Sequence, residues 1–507
     1  MKHARLPEVL GRIAPLPRVR RRALIIDLNN FSTFPTLAVG LLAASLRNAG
    51  FEVRLISPLA NGVPAVERER AEGPLDHLAR RVHLSTWRPG QLARNTARAV
   101  RQRWLSRPHP RVLLEASRGL ADQPDVVLLS AYLQHYETVA QIGKLAQRSR
   151  IPVLLGGPMF NMPDTAEAWR RLPGISAVVG AEADQLAPDL VAAVCDGVDL
   201  TGFPGVVTGD GRRSGPAPPL RPLDASPIPD FTDFPWDRYR VRIIPIMASR
   251  GCQWNRCNFC SDIVSVSGRS LRTRSVDNVL HEMREQARRH ATTNFLFLDL
   301  KLNSSPTLFR GLIENIPRNV PGAQWIGTVH VDQRRDNGLS RADLKAAVAA
   351  GMRRVSFGLE SGSQRLLDAM DKGCTVEGNA AFIRHAHEAG LSVRCTMMKG
   401  FPGETAEDLE LTANFLERHL PHIDRVRFND FSLPAGTPIY EAVNAASPAY
   451  PNMRMLRPDA RQARGRYLNT EGRSAAYRRA KLRVLRAVYA INRRKIRSSA
   501  RIFDGLM

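Results

Sequence analysis

Ile243-Ile-Pro-Ile-Met-Ala248-Ser-Arg-Gly-Cys252-Gln-Trp-Asn-Arg-Cys257-Asn-Phe-Cys260-Ser-Asp262 is the stretch on which the reading of this chain turns. The apolar run Ile243–Ala248 predicts a short buried strand, and three cysteines follow it within nine residues. Thiolates are the usual ligands of iron–sulfur clusters and of structural zinc. Zinc normally takes four protein ligands, and the next histidines, His281 and His290, fall in a predicted helix. Three thiolates on a four-iron cluster leave one iron open to the amino and carboxylate groups of a small molecule. The spacing therefore favours a cluster on Cys252, Cys257 and Cys260 over zinc or over purely structural cysteines.

Outward from this loop the pattern is βα repetition. Strands are predicted at Ile243–Ala248, Phe295–Leu298, Trp325–Val329, Val355–Gly358, Val393–Met398 and Arg425–Phe431, with helical spacing between them. Six such units predict a partial (β/α)6 TIM-type barrel over residues 241–445, with its chemistry at the C-terminal ends of the strands. Residues 1–213 carry a second α/β series, with strands at Ala23–Leu28, Glu52–Ile56, Asp125–Ser130, Ile151–Leu155 and Ala177–Gly180. Strands alternating with helices predict a Rossmann-like, doubly wound sheet. Residues 60–120 fit that series poorly and read as an insertion of helices. Residues 214–240, rich in Pro and Asp, read as a linker or a strap across the two domains. From Arg454 onward 16 Lys/Arg stand against 3 Asp/Glu, so residues 446–507 read as a basic helical tail, either a solvated face closing the barrel or a surface for substrate or membrane.

The bulk numbers narrow the class. Of 507 residues 43% are hydrophobic, an ordinary globular composition. Six cysteines, three of them scattered as Cys195, Cys374 and Cys395, do not make a disulfide framework and suit a reducing compartment. No apolar run reaches the ~20 residues of a membrane-spanning helix, and the basic, Pro-broken start lacks a secretory pattern; a cytoplasmic location is expected. The formal charge of +25 suggests an anionic partner, or only an Arg-rich genome. Aromatics are 6% and do not interleave the basic stretches, which argues against nucleic acid.

The cysteine loop resembles the signature of the radical S-adenosylmethionine superfamily, including the aromatic Phe259 before the last cysteine. The usual spacing there is three residues then two, whereas this chain has four then two. Further motifs follow in the family's order: Phe297-Leu-Asp299-Leu-Lys-Leu-Asn303, Gly358-Leu-Glu360-Ser361-Gly362, Thr396-Met-Met398-Lys-Gly400-Phe-Pro402-Gly403-Glu404-Thr405 and Pro434-Ala-Gly436-Thr437-Pro438. The resemblance implies a [4Fe-4S] cluster on the three cysteines. It further implies S-adenosylmethionine held near Phe259, Glu360, Ser361, Met398, Gly400, Pro402 and Gly403. An electron donor such as flavodoxin or ferredoxin is implied as well.

Residues 23–200 are similar to the cobalamin-binding domain that precedes the barrel in one branch of that superfamily, whose best-known members are class B methyltransferases. The similarity rests on Leu28–Pro35, on Thr36–Gly50, on Ser130, on Gly156-Gly157-Pro158 and on Val179-Gly180-Ala-Glu182. It implies cobalamin contacts at Asn29, Asn30, Phe31, Pro35, Ser130, Gly156, Gly157, Gly180 and Glu182. An Asp-x-His-x-x-Gly sequence is absent, so the expected cobalt lacks a histidine ligand from that motif. The implied reaction is methylation of an unactivated carbon of a natural-product or peptide substrate, and the +25 charge suggests an anionic one. The competing readings are a radical cyclase or rearrangement enzyme with the same cofactors, a radical enzyme whose first domain binds no cobalamin, and a tRNA methylthiotransferase. The last would need three N-terminal cysteines, and only Cys195 precedes the barrel. A non-catalytic metal or nucleic-acid module is the remaining alternative, and the ordered motif series argues against it. Cys374 and Cys395 are candidate radical-quenching or acid/base groups, though a lone cysteine is more often a small buried hydrophobe.

Overall fold

The computed structural model describes residues 20–29, 33–63, 70–87, 94–97, 100, 109–268, 270–334 and 338–506. The first domain is a six-stranded sheet of β1 (Arg22–Asp27), β2 (Glu52–Ile56), β3 (Val126–Ser130), β4 (Val153–Gly156), β5 (Ala177–Val179) and β6 (Val206–Thr208). Its order is β2-β1-β3-β4-β5-β6, parallel except for the edge strand β6. The strand runs are apolar on both faces, as a sheet covered by helices on two sides requires. The order reverses between β1 and β3, so the crevice where such sheets bind ligands opens at the C-terminal ends of these two strands. The insertion expected between residues 60 and 120 contains helices Pro74–His83 and Pro110–Ala121.

The second domain begins with β7 (Ile244–Ile246), followed by a small antiparallel pair, β8 (Ser249–Arg250) and β9 (Arg272–Thr273). Its main sheet adds β10 (Asn294–Phe297), β11 (Gln324–Val329), β12 (Met352–Glu360), β13 (Ser392–Lys399) and β14 (Arg425–Asp430). All neighbours are parallel, in the order β14-β13-β12-β11-β10-β7, which is an open (β/α)6 arrangement with β7 and β14 as edges. Phe295, Phe297, Val355, Phe357 and Leu359 pack into the large core under the surrounding helices. The alternate residues, among them Leu296, Arg354, Ser356 and Glu360, line the opposite, concave face.

That concave face is filled at its lower end by the last described segment. Phe503, fully buried, packs with Leu506, Ile243, Leu296 and Ile326, and with the partly buried Phe34. Asp504 reaches Arg425 at 3.1 Å and Arg354 at 3.7 Å. The upper end, at the strand C-termini, is left for the cysteine loop.

Of the two readings of residues 214–240, linker or strap, the structure takes the second, while the C-terminal region departs from the expected organisation. Residues 214–240 are a packed strap: Phe231 and Phe234 are buried, Gln286 Nε2 donates to Pro229 O at 2.7 Å, and Arg47 pairs with Asp230 and Asp233, each at 2.5 Å. The core therefore runs without a break from the first domain through the strap into the barrel. The region after residue 446 is helical only in part. Strands β15 (Leu433–Pro434), β16 (Met453–Asp459) and β17 (Arg464–Asn469) form an antiparallel sheet in the order β15-β17-β16. Only then does helix Ala475–Asn492 lie against helix Ala406–His419. Among the described residues no helix is long and apolar enough to cross a membrane.

Candidate active site

The cysteine loop is rooted by Asp299, just past β10. Its carboxylate accepts from Ser249 Oγ at 2.5 Å and from Ala248 N–H at 3.0 Å. Burial raises the Asp299 pKa to about 6, against the opposing pull of these hydrogen bonds. The loop then turns at Gly251, whose φ of +86° and position 2.1 Å (for a built Cβ) from Ser270 O exclude any side chain.

The extra residue between the first two cysteines is absorbed locally. Asn255 takes a positive φ of 33°. Trp254 swings onto the 369–373 segment, where its Nε1–H donates to Asp371 O at 2.7 Å. Its ring lies against Gly373, at φ +67°, where a Cβ would fall 2.1 Å from the indole. Asn258 bonds the same segment, Nδ2 to Ala369 O at 2.7 Å and N–H to Met370 O at 3.1 Å.

Cys252 is buried, and Cys257 and Cys260 are half-buried. Burial pushes the Cys257 thiol up, while Lys372 and Lys301 pull it down; burial and then Asp262 push Cys260 up. Among the described residues no three His, Cys, Asp or Glu side chains converge as a single-ion site. Three cysteine thiols carried on one loop, with the Lys372 and Lys301 ammoniums acting on Cys257, are a donor set that fits the cluster implied by the sequence.

Glu360 closes β12 with a positive φ of 60° and is buried. Its Oε1 accepts from Lys372 Nζ at 3.0 Å. Burial works against the Lys372 ammonium, but Glu360 and Cys257 outweigh it and hold its pKa above the usual lysine range. The same ammonium stands 5.9 Å from the centre of the Phe259 ring, and Phe259, Met398, Phe401 and Phe431 share one apolar cluster.

Of the other expected S-adenosylmethionine contacts, Gly400 and Gly403 have open space beside their α-carbons, and Pro402 is buried between them. Ser361 is buried, and its hydroxyl is tied to Thr412 at 3.2 Å. The turn is braced from behind by Glu404, which accepts from Gly400 N–H at 2.6 Å and from Tyr477 OH at 2.5 Å. Burial raises Glu404 to about 7 despite these bonds. Tyr477 and Lys372 were not singled out in the sequence: Tyr477 meets Glu404 from 73 residues away, and Lys372, 12 residues past Glu360, stands in no motif that marks it.

At the first sheet, Asn29, Ser130, Gly156 and Gly157 share the C-terminal edge. Ser130 is the register partner of Asp27 across the β1/β3 switch. Asp27, buried with its pKa raised to about 6 by burial, accepts from Asn29 N–H at 2.9 Å and Thr36 Oγ at 2.6 Å. Gly156 has open space beside it, Gly157 backs onto Ala131 O, and Pro35 is buried. Ser57 Oγ, just past β2, is buried, has no hydrogen-bond partner among the described residues and lines a small cavity of about 10 Å³ with Asp27 and Asn29. Gly180 N–H donates to Gly205 O at 2.7 Å, and Glu182 turns away to Arg250 and Arg272. Asn30 and Phe31 lie outside the described residues. A larger cavity, about 790 Å³, flanks the cysteine loop and is lined by Arg221, Asp224, Gln253, Arg272 and Ser304, among others.

Comparison with known proteins agrees with this layout. Residues 246–416 match the model of the Radical SAM superfamily. An uncharacterized methyltransferase of Pyrococcus horikoshii is 29% identical over 63% of this chain and 69% of its own length. The bacteriochlorophyllide d C-12(1)-methyltransferase of Chlorobaculum tepidum is 27% identical over 44% of this chain, which spans about half (48%) of that relative. Among solved structures, the radical S-adenosylmethionine methyltransferase TsrM of Kitasatospora setae, with cobalamin and a [4Fe-4S] cluster bound, superimposes with a TM-score of 0.64. It covers 92% of this chain and 91% of that one at 16% identity. The cobalamin-dependent S-adenosylmethionine radical enzyme OxsB gives a TM-score of 0.67 at 16% identity, over 89% of this chain and 65% of that one.

Proposed function

We propose that this chain, a radical S-adenosylmethionine enzyme, methylates an unactivated carbon of a small-molecule or peptide substrate, with cobalamin as methyl carrier. The observation that carries the reading is one juxtaposition. The loop that carries the three thiols lies at the C-terminal edge of the barrel sheet, with Cys257 near enough to Glu360 to feel its charge, and it hydrogen-bonds the segment that follows the Gly156-Gly157 edge of the Rossmann-like sheet (Asn161 Nδ2 to Val264 O, 2.8 Å; Val266 N–H to Pro158 O, 2.9 Å).

Cys252, Cys257 and Cys260 would hold the cluster, and Phe259, Glu360, Met398, Gly400, Pro402 and Gly403 would line S-adenosylmethionine. The first-sheet edge at Asn29, Ser130, Gly156 and Gly157 would hold cobalamin; the open side of Gly156 fits a ligand there. When bound, these groups supply one electron to split S-adenosylmethionine into methionine and a 5′-deoxyadenosyl radical, and a methyl group for the activated carbon. The chain's own residues place and insulate that chemistry. Lys372 and Lys301 set positive charge beside the thiols. Phe259, Phe401 and Phe431 exclude water from the barrel mouth. The Glu404-braced turn fixes the backbone at Gly400. A flavodoxin- or ferredoxin-type donor in the cytoplasm would feed the cluster.

The test is anaerobic reconstitution with methyl-labelled S-adenosylmethionine and cobalamin. Retention of cobalamin through gel filtration, 5′-deoxyadenosine formation and label in a product carbon support the reading. 5′-Deoxyadenosine without retained cobalamin leaves a radical enzyme whose first domain is a scaffold. Because the Asp-x-His-x-x-Gly sequence is absent, cob(II)alamin retained by the protein should show no nitrogen splitting by EPR.

A further inference from the structure

The cysteine loop is held from two sides. From the barrel side come Asp299, Asp371 and the carbonyls of Ala369 and Met370. From the other side comes a buried ionic network. Arg250, two residues before Cys252, pairs with Glu182 at 3.0 Å and also with Asp184. Arg272, where the chain leaves the loop, pairs with Glu182 at 2.5 Å. The four side chains are between 2% and 9% exposed. The strap joins in: Leu220 N–H donates to Glu182 at 2.7 Å, Ser226 Oγ donates to Asp184 at 3.0 Å, and Arg272 donates to Leu220 O at 3.1 Å. Arg272 also reaches forward to Ser267 O, inside the loop, at 2.8 Å.

Ser249 and Arg250 are thus consecutive residues with opposite anchors, one in the barrel and one in the first domain. Two carboxylates against two guanidiniums leave no net charge in the junction. Adhesion alone does not call for such a network, because apolar side chains of similar volume usually hold a junction at least as well. What paired, forked hydrogen bonds add is a fixed direction. Here they fix both ends of the loop that carries the three thiols.

We propose that Glu182 and Asp184 are positioning residues for the cluster: acting through Arg250 and Arg272, they make the first domain set the conformation of the cysteine loop. The inference rests on the reading that Cys252, Cys257 and Cys260 hold an iron–sulfur cluster.

The experiment uses the full chain, reconstituted anaerobically. The double variant Glu182→Gln/Arg272→Met removes one acid and one cation together. Arg250→Lys keeps the charge but loses the fork that spans Glu182 and Asp184. Both are expected to keep wild-type far-UV circular dichroism. Both are expected to lose iron to a chelator several-fold faster than wild type and to give a reduced-cluster EPR spectrum with altered line shape. Lysine rescue at position 250, with wild-type EPR and chelation rate, would reduce the network to charge balance and overturn the proposal, as would folded variants of both kinds that match wild type. If the double variant does not fold, Arg250→Lys decides alone. Failure of the wild-type chain itself to assemble a cluster would refute the underlying reading instead, and is seen before any variant is compared.

Discussion

Lys372 Nζ lies 3.0 Å from Glu360 Oε1, with both groups buried and Cys257 close enough to act on the ammonium. Glu360 meets this partner from a left-handed backbone, at φ +60°, that non-glycine residues occupy only when the surroundings hold them there. Strain, a buried ion pair and a cysteine of the loop come together at one strand end.

Glu360→Gln should therefore weaken S-adenosylmethionine binding while the cluster still assembles. Loss of one charge-assisted hydrogen bond at a buried site costs on the order of 2 kcal/mol, roughly 30-fold in Kd. Isothermal titration or equilibrium dialysis on the reconstituted protein measures it, and an unchanged Kd removes Glu360 from the site.

Cys252→Ala, Cys257→Ala and Cys260→Ala should each abolish 5′-deoxyadenosine formation, since no other thiol lies in the loop to replace a lost ligand. Iron and sulfide content with product chromatography checks this. A triple variant that loads iron normally and still cleaves S-adenosylmethionine would refute the assignment.

Asp299→Ala strips the Ser249 hydroxyl and the Ala248 N–H of their acceptor in a buried place. The expected cost is about 2 kcal/mol for the stranded donors, read as a lower denaturant midpoint, together with poorer cluster loading from a loosened loop root. A variant equal to wild type in both would show that β8 needs no such anchor.

Glu404 makes stability fall as pH rises. Its folded pKa, raised to about 7, stands above the ordinary 4.5. The folded state therefore keeps a proton that the unfolded chain releases. The favourable contribution is complete below about pH 4.5 and is lost as pH climbs to about 7, on the order of 3 kcal/mol. Glu404→Gln, which keeps an acceptor for Tyr477, should flatten the pH dependence of the unfolding midpoint across that window. An identical slope in wild type and variant would mean the carboxyl is already ionised.

What could be read in the sequence was what is local. The cysteine spacing, the Gly400–Glu404 turn and the apolar strand runs are each written within a dozen residues, and the strands β7 and β10 to β14 lie within a few residues of their expected positions. The Glu182–Arg250 contact joins residues 68 apart in the chain, and an ion pair at that separation leaves no periodic trace. Glu182 was expected at a cofactor edge on motif grounds, yet both its oxygens face arginines. The β16–β17 hairpin escaped notice because a bulge between Met455 and Arg457 breaks the alternation of its first strand: the register sets Arg454, Arg457, Arg464 and Arg466 on one face, with Met453, Met455 and Tyr467 on the other. A strand interrupted in this way lacks the unbroken period of two that marks one. The strap hid its Phe231 and Phe234 among prolines and aspartates.

The filling of the barrel's lower end by residues 498–506 also constrains the order of assembly. Phe503 and Asp504 complete a concave face whose first strand, β7, lies some 260 positions earlier in the chain. During synthesis the sheet emerges long before the segment that covers Ile243, Leu296, Arg354 and Arg425. Until then those aliphatic side chains and guanidiniums face water or one another. A nascent chain caught in that interval exposes apolar surface, a state prone to aggregation. Overproduction that outruns translation's natural pace should therefore yield insoluble protein with an intact cysteine motif, and slower, cooler expression should recover it.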